Sequence, residues 1–425
     1  MPLDVIVVNK QPSKITDARY TVRQATPADA QAVSALYVRA YTPAKGGHAR
    51  DYYPFPQIMN PDGVAAMIAG GEVVWLVGEA LGGTLVGSAA AMRNIGDELD
   101  QIAEVFGVVV DAAHRHGGLG SALVGGLVDE LARSSKFILC EARTDDPGGW
   151  KVARNAGFLP VGYEPYAHSM PVGFESMVLT GRWRPSQPHG PNGKSPLMGG
   201  KSSLMGQARR LRETVMGLPS AADIYLPPPD LAQAQGAPPT GTHVNVLCDD
   251  TARCRWFVGP TMFDRSAGVI GLNPLQGLDH PGWRFTDRYY VAFSASSEVG
   301  AARVVYDRVD ARARVLGLRT AAPGVRAILL RHLVDDLLRE AANRRLVIIV
   351  LVDSNCSQTQ ADLANLGFFP TVYLPAFVAA PSGRSDGIQY TRLSGCSLGE
   401  SVDTVTAKHW PEAERVIAQV LRFAP

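Results

Sequence analysis

The chain has few cysteines, and they form no pattern. There are five, odd in number and scattered over 425 residues: Cys140, Cys248, Cys254, Cys356 and Cys396. Two of them fall within predicted strands, which is typical of reduced thiols and not of the disulfide framework of a secreted protein. Cys248 and Cys254 have no second cysteine pair and no histidines at metal-ligand spacing nearby, so we expect no zinc and no other metal.

An excess of charge of either sign is also missing. The formal net charge is +1, which excludes the basic footprint of a nucleic-acid-binding protein. No apolar run approaches the ~20 residues that span a membrane. The opening Met-Pro-Leu-Asp has neither the basic region nor the apolar core of a secretory signal. We therefore expect a cytoplasmic protein without nucleic-acid or membrane partners.

Glycine is abundant, and its most informative cluster follows an apolar run. Val108–Val110 are β-branched and predict a buried strand, and Arg115-x-x-Gly118-x-Gly120 then opens a helix predicted over Ser121–Ser134. Glycines at such a turn leave backbone N–H groups uncrowded where a helix N-terminus favours negative charge. This cradle suits a pyrophosphate, although it matches neither the nucleoside triphosphate loop nor the dinucleotide loop.

The order of the predicted elements around this turn reads β-α-β-β-β-α-β-α-β. It includes a strand from Tyr20, a helix over Ala30–Tyr41, strands over Val73–Gly78 and Gly83–Met92, a strand over Lys136–Cys140 and a helical segment over Trp150–Phe158. With the Arg-x-x-Gly-x-Gly loop, this order resembles the GCN5-related N-acetyltransferase (GNAT) fold throughout residues 18–182. The resemblance implies acetyl-CoA as the acyl-donor cosubstrate.

The pattern occurs twice. Gly157–Pro165 and Gly367–Pro375 share Gly, Phe, Pro, Tyr and Pro in register, 210 residues apart. The predicted fold class is therefore α/β, with two tandem acyl-CoA N-acyltransferase (GNAT-like) domains, each a mixed, mostly antiparallel twisted sheet flanked by helices. We expect domains at residues 1–184 and 240–398, a Pro/Gly-rich linker with a short basic helix at 185–239 and a terminal helix at 399–425.

The second copy of the loop is altered. Aligning Leu127–Leu131 with Leu333–Leu337 places Gly324 and Arg326 opposite Gly118 and Gly120, and Pro323 removes one N–H donor. Arg326 could grip a phosphate itself, but we expect that this half no longer binds coenzyme A and instead shapes the substrate cleft. A working and a decayed half together resemble two-domain acetyltransferases of the mycothiol synthase type.

The resemblance also implies which residues hold the donor and stabilise the developing oxyanion. A backbone N–H at Val108 or Val110 would donate to the thioester carbonyl oxygen. The full set of residues expected at acetyl-CoA is Val108, Val109, Val110, Arg115, His116, Gly117, Gly118, Leu119, Gly120 and Ser121.

Acyl transfer to an amine also needs a base, and Glu104 is the candidate. On a strand its side chain would share a face with Phe106 and Val108 and point into the cleft. The alternative for Glu104 is a solvated carboxylate at a strand entrance, and Asp100 and Glu98 are other candidates.

The general acid is less well defined, because the tyrosine usual in the family is replaced by Ala153. Tyr166 or His168 could supply the proton, or the thiolate could leave without an acid. The acceptor pocket is expected at an aromatic wall formed by Tyr52, Tyr53 and Phe55, which could equally be a small satellite core.

We therefore expect an acyl-CoA-dependent N-acyltransferase that moves acetyl to the amine of a small molecule, with a homodimer left open. One alternative is a non-catalytic acyl-CoA-binding scaffold or sensor. Another is an enzyme of the same fold that uses a different acyl-CoA, for longer-chain transfer or thioester decarboxylation.

Overall fold

The structure is a computed structural model that describes residues 19–41, 56–144, 147–170, 173–183, 206–217, 239–248, 267–272, 284–321, 323–342, 344–380, 383–401 and 410–423. These residues form one mixed 14-stranded sheet with helices on both faces, which confirms the predicted α/β class. Within these ranges, no helix is both long and apolar enough to cross a membrane.

The first half of the structure, residues 19–183, contains the glycine-rich turn. Its elements are β1 (Tyr20–Gln24), α1 (Ala30–Tyr41), α2 (Pro61–Gly70), β2 (Val73–Ala80), β3 (Leu85–Met92), β4 (Ile102–Val110), α3 (Leu119–Leu131), β5 (Phe137–Arg143), α4 (Pro147–Asn155), β6 (Leu159–Ser169) and β7 (Phe174–Trp183). The helix α1 has the predicted bounds. The helix α3 begins two residues before the predicted start, because the left-handed Gly118 (φ +79°) lies directly before Leu119.

The second half, residues 239–401, repeats this strand order. The remaining elements are α5 (Gly206–Met216), β8 (His243–Cys248), β9 (Phe285–Ser294), β10 (Ser297–Asp307), β11 (Arg312–Thr320), α6 (Pro323–Ala341), β12 (Leu346–Asp353), α7 (Ser357–Asn365), β13 (Phe369–Ala380), β14 (Gly383–Ser394) and α8 (Pro411–Leu421). The sheet runs β1-β2-β3-β4-β5-β7-β6 and then β13-β14-β12-β11-β10-β9-β8, so each half mirrors the other across the β6–β13 seam.

Contacts across the seam obey a pseudo-two-fold relation with the same 210-residue offset. Gly162 of β6 lies opposite Val372 of β13. The Asp310 carboxylate accepts from the Ser169 backbone N at 2.7 Å, and the Asp100 carboxylate accepts from the Ala379 backbone N at 2.8 Å. Each half thus holds the end of the other half's long strand in the same way.

The seam allows no side chain at Gly162. A Cβ added there would lie 2.5 Å from the Val372 Cα and 2.6 Å from the Thr371 carbonyl oxygen, both of which are backbone atoms. We expect Gly162→Ala to lower the free energy of unfolding by about 1–3 kcal/mol, measured by urea titration. Gly149→Ala is the matched control, because a Cβ on Gly149 meets nothing within 4 Å. An unchanged midpoint for Gly162→Ala would contradict the close approach.

The strands β4 and β5 separate at the centre of the first half. Their parallel pairing covers Ile102–Val105 against Phe137–Cys140, after which β4 continues along β3. A bulge at Gly107 and Val108 shifts the β3–β4 register, with Gly107 at φ +61°. The prediction that Glu104, Phe106 and Val108 share a face is therefore wrong. Phe106 packs in the hydrophobic core between the sheet and the helices α1 and α2, the α1–α2 core. Val108 packs against the core between the sheet and the helix α3, the α3 core.

Candidate active site

The loop between β4 and α3 leads directly into a helix N-terminus. Asp111 caps a short 3₁₀ turn, and the chain then passes through left-handed residues at His116 and Gly118 before α3 begins. The N–H groups of the first helical turn have no carbonyl partner within the helix. Because the helix dipole adds to them, this loop suits an anion.

The glycines of this loop keep the anion cradle open. A Cβ at Gly118 would meet nothing within 4 Å, so the space above the turn is free among the described residues. A Cβ at Gly120 would lie 3.1 Å from the Val152 Cγ2 and 3.6 Å from the Val110 Cγ2, so the packing against α4 leaves little room for a side chain there. The Arg115 Nε donates to the Val110 carbonyl oxygen at 3.2 Å, which holds the exposed guanidinium beside the loop. These features fit a pyrophosphate.

The residues predicted for acetyl-CoA differ in how they could contact it. The side chains of Val109 and Leu119 are buried in the core, so only their backbone is available. Three residues are exposed (Arg115, His116 and Gly118), and five are half-buried (Val108, Val110, Gly117, Gly120 and Ser121).

The equivalent loop of the second half is closed by its own side chain. Arg326 is 7% exposed, and its Nε donates to the Asp362 carboxylate on α7 at 2.7 Å. Its Nη2 also donates to the Gln358 side chain at 3.3 Å. Because this guanidinium is paired within the protein, the contacts disfavour the alternative in which Arg326 grips a phosphate.

Three glutamates lie on one face of the sheet where β4 and β5 separate. Glu104 lies between Ile102 and Phe106, which both belong to the α1–α2 core. Glu141 is opposite Leu179, and Glu164 is opposite Met177, both members of the same core. Glu104 and Glu164 are 3% and 1% exposed, so the solvated alternative for Glu104 does not hold.

The second half supplies the positively charged side chains that face this row of three glutamates. Arg312 and Arg314 project from β11, and both donate to the Glu164 Oε2, Arg314 at 3.4 Å. In the 210-residue relation Arg314 is the counterpart of Glu104. Three carboxyls thus face two guanidinium groups. The Oε2 of Glu104 is buried without a hydrogen-bond partner among the described residues.

Because the three carboxyls outnumber the two guanidinium groups, the pKa values of the three glutamates shift in different directions. The paired arginines lower the pKa of Glu164 to about 2. Burial, together with the neighbouring Glu141, raises the pKa of Glu104 well above its usual value, while Arg314 opposes that rise. Burial also raises the pKa of Glu141. Glu164 is therefore a fixed anion, whereas Glu104 holds a proton more readily than an ordinary carboxyl does.

Of the two predicted acids, the structure brings His168 to this row. Its Nε2 lies 3.9 Å from the Glu141 Oε2, and its Nδ1 lies 3.2 Å from the Asp310 carboxylate. Tyr166 instead packs against Val347 and Ile349 of the second half. Its hydroxyl donates to the Ser397 carbonyl oxygen at 2.6 Å, and burial raises the pKa of Tyr166 to about 12.

Sequence reasoning missed most of this cluster. Glu141, Glu164, Arg312, Arg314 and Asp310 were not singled out, although charged residues inside apolar strands were a visible signal. The predicted acceptor wall, Tyr52, Tyr53 and Phe55, lies outside the described residues and stays a prediction.

Comparisons with solved structures give acetyltransferases. They include a GNAT-family acetyltransferase from Streptococcus pneumoniae (TM-score 0.33, 16% identity, covering 39% of this chain and 99% of that one). A ribosomal-protein-S5-alanine acetyltransferase from Vibrio fischeri has a TM-score of 0.32 and 18% sequence identity, and the match covers 39% of this chain and 96% of that one. A putative acetyltransferase from Salmonella typhimurium, solved with its cofactor acetyl-CoA, has a TM-score of 0.33 and 20% identity, and the match covers 39% of this chain and 94% of that one.

A comparison with curated proteins finds no significant match. The family model for the acetyltransferase (GNAT) family matches residues 32–158. This match extends from α1 to the residue before β6, and it includes both the glycine-rich loop and Glu104. Residues 32–158 of this chain are therefore an acetyltransferase domain of the GNAT family.

Proposed function

We propose that the protein is an acyl-CoA-dependent N-acyltransferase that transfers acetyl from acetyl-CoA to the amine of a small molecule. The observation that carries the proposal is Glu104, a buried carboxyl on the sheet face where β4 and β5 separate, with one oxygen that no described residue hydrogen-bonds. The donor would lie on the Arg115–Gly120 loop, whose open glycine cradle supports this assignment.

The donor's thioester supplies the activated acyl group when it is bound, and the protein's residues position and ionise the reactants. Glu104 takes the proton that the acceptor amine must lose. A backbone N–H of β4, at Val108 in the bulge or at Val110, would donate to the carbonyl oxygen. The Asp111 N–H donates to the Val86 carbonyl oxygen at 2.8 Å, so the alternation of an antiparallel ladder turns the N–H of Val110 away from β3.

The charged side chains at the seam also support a small cationic acceptor. When ionised, the three carboxyls outnumber the two guanidinium groups that face them, and such a row attracts an ammonium group. Both halves contribute to this row, and we propose that the two tandem domains, 1–184 and 240–398, form one active site. The second domain would then act through its charged residues and not through a second donor.

The experiment that tests this function measures turnover of acetyl-CoA with a panel of small amines. The release of the free thiol of coenzyme A is the readout. The proposal predicts amine-dependent thiol release with an N-acetylated product seen by mass spectrometry. Acetyl-CoA binding without turnover across the panel would favour a non-catalytic sensor, and turnover only with longer acyl-CoA would reassign the donor.

Arg314 gives a pH-dependent prediction. Its positive charge lowers the pKa of Glu104, so Arg314→Gln should raise that pKa. Because the ionised carboxylate is the active form, the acid limb of kcat/KM should move to higher pH, and activity at neutral pH should fall. Arg314→Lys, which keeps the charge, should stay near the wild-type profile. An acid limb that does not move in Arg314→Gln would contradict the role given to Arg314.

A further inference from the structure

The bulge of β4 is held by a side chain from the neighbouring helix. The Gly107 carbonyl oxygen accepts a hydrogen bond from the hydroxyl of Tyr37 on α1, and Tyr37 is fully buried. We propose that Tyr37 is a positioning residue, which fixes the Gly107–Val108 peptide so that its N–H donates to the carbonyl oxygen of the bound thioester. This inference rests on the proposed function, because it concerns how the oxyanion donor of that reaction is held.

The bond from Tyr37 acts on the same peptide unit that carries the Val108 N–H. In a trans peptide the C=O and N–H groups point in opposite directions, and the described residues contain no cis peptide. Because the Gly107 carbonyl points to the Tyr37 hydroxyl in the α1–α2 core, the Val108 N–H points away from that core. The helix α3, which follows the proposed donor loop, lies on the other face of the sheet.

The Tyr37 hydroxyl is the middle of a buried hydrogen-bond chain. The Trp75 Nε1 donates to the Ser88 Oγ at 2.7 Å, and the Ser88 Oγ lies 3.4 Å from the Tyr37 hydroxyl oxygen. An indole N–H only donates and a carbonyl oxygen only accepts, so both ends fix the direction of the chain. Ser88 therefore donates to Tyr37, and Tyr37 donates to Gly107. Such a chain polarises its members, which strengthens the N–H of the Gly107–Val108 peptide as a donor.

The surroundings of the phenol fix both its position and its charge. The Trp75 ring meets the Tyr37 ring edge-on at a centroid distance of 6.4 Å, and it meets the Phe106 ring in the same way at 6.1 Å. Burial raises the pKa of Tyr37, so its hydroxyl stays protonated throughout the pH range of an activity assay. Tyr37 therefore orients the peptide without exchanging a proton during turnover.

The second half differs at the matching place of its own ladder. Gly317 is the counterpart of Gly107 in the 210-residue relation, but it pairs in register with Arg303. Ala301 holds the ladder position that Ser88 holds in the first half, and alanine has no hydroxyl. The bulged glycine and the serine behind it thus occur in the half whose donor loop is open.

The test removes the Tyr37 hydroxyl and observes the bound thioester. Infrared difference spectroscopy with ¹³C-labelled acetyl-CoA measures the stretching frequency of the thioester carbonyl, which falls when its oxygen accepts a hydrogen bond. In Tyr37→Phe this band should move to higher frequency than in the wild type. The kcat should fall at least about tenfold, less than the roughly 10²–10³-fold loss that follows outright removal of an oxyanion donor. The acetyl-CoA affinity and the acid limb of the pH profile should not change.

Tyr390→Phe is the matched control, because it removes another buried hydroxyl. Tyr390 is 2% exposed in the second half, and its hydroxyl donates to the Gln360 Oε1 at 3.2 Å. This variant should leave the band and kcat unchanged. Ser88→Ala breaks the chain behind Tyr37, so it should move the band in the same direction by less, and it decides the question if Tyr37→Phe does not fold.

The outcomes separate the role of Tyr37 from the proposed function. If the wild type turns over but the band stays in place in Tyr37→Phe and Ser88→Ala, the oxyanion donor is another group, such as the Val110 N–H, and the role of Tyr37 is wrong. The same conclusion follows if Tyr390→Phe loses as much activity as Tyr37→Phe. A wild-type protein that does not bind acetyl-CoA would remove the proposed function, and the positioning role with it.

Discussion

Glu104→Gln is expected to lower kcat by about 10²–10⁴-fold while acetyl-CoA binding stays unchanged. Glutamine has the shape of glutamate but cannot accept the proton of the amine. Binding should persist because Glu104 lies on β4, before the bulge, whereas the donor loop follows the end of that strand. Steady-state thiol release measures the first effect, and calorimetric titration with acetyl-CoA measures the second.

Glu98→Gln is the control for this substitution. Glu98 is another acidic residue shortly before β4, but its side chain is exposed in a short 3₁₀ turn. Its replacement should leave kcat near the wild-type value. Full activity in Glu104→Gln, or an equal loss in Glu98→Gln, would contradict the assignment of the base.

Gly120→Glu is expected to weaken acetyl-CoA binding at least about 100-fold. The new carboxylate would add a negative charge to the first turn of α3 and repel the pyrophosphate that this helix N-terminus otherwise attracts. The fold should tolerate the change, because an acidic residue in the first turn of a helix is favourable and the nearest contact is the side-chain Val152 Cγ2, at 3.1 Å. Calorimetric titration of the folded variant measures the loss.

Gly125→Glu adds the same charge to the same helix away from the loop. A Cβ on Gly125 meets nothing within 4 Å, and the residue lies in the middle of α3. Its acetyl-CoA affinity should therefore match that of the wild type. If Gly120→Glu bound as tightly as Gly125→Glu, the pyrophosphate would have to lie elsewhere.

The sequence predicted those parts of the fold and site that depend on local chemistry. The start of α1 at Ala30 and the α/β class follow from turn residues and hydrophobic periodicity. The 210-residue repeat was also readable, because the same turn and strand residues recur in register.

The features that the sequence did not predict depend on long-range pairing. The bulge at Gly107 reverses the alternation of β4, so Val108 was placed on the wrong face. Gly107 was itself the local signal, because a glycine inside a strand often marks a bulge. The ion pair of Arg312 with Glu164 joins residues 148 positions apart across the seam. Extending the repeat to Glu104 and Arg314 would have revealed a charge reversal at matched positions.

The stoichiometry of acetyl-CoA binding to the full chain tests the central claim most directly. The open loop at Gly118–Gly120 and the closed loop at Arg326 together predict one saturable site per chain in a calorimetric titration. Two sites would contradict the closed second loop, and no binding would contradict the assignment of the protein as an acyl-CoA-dependent transferase.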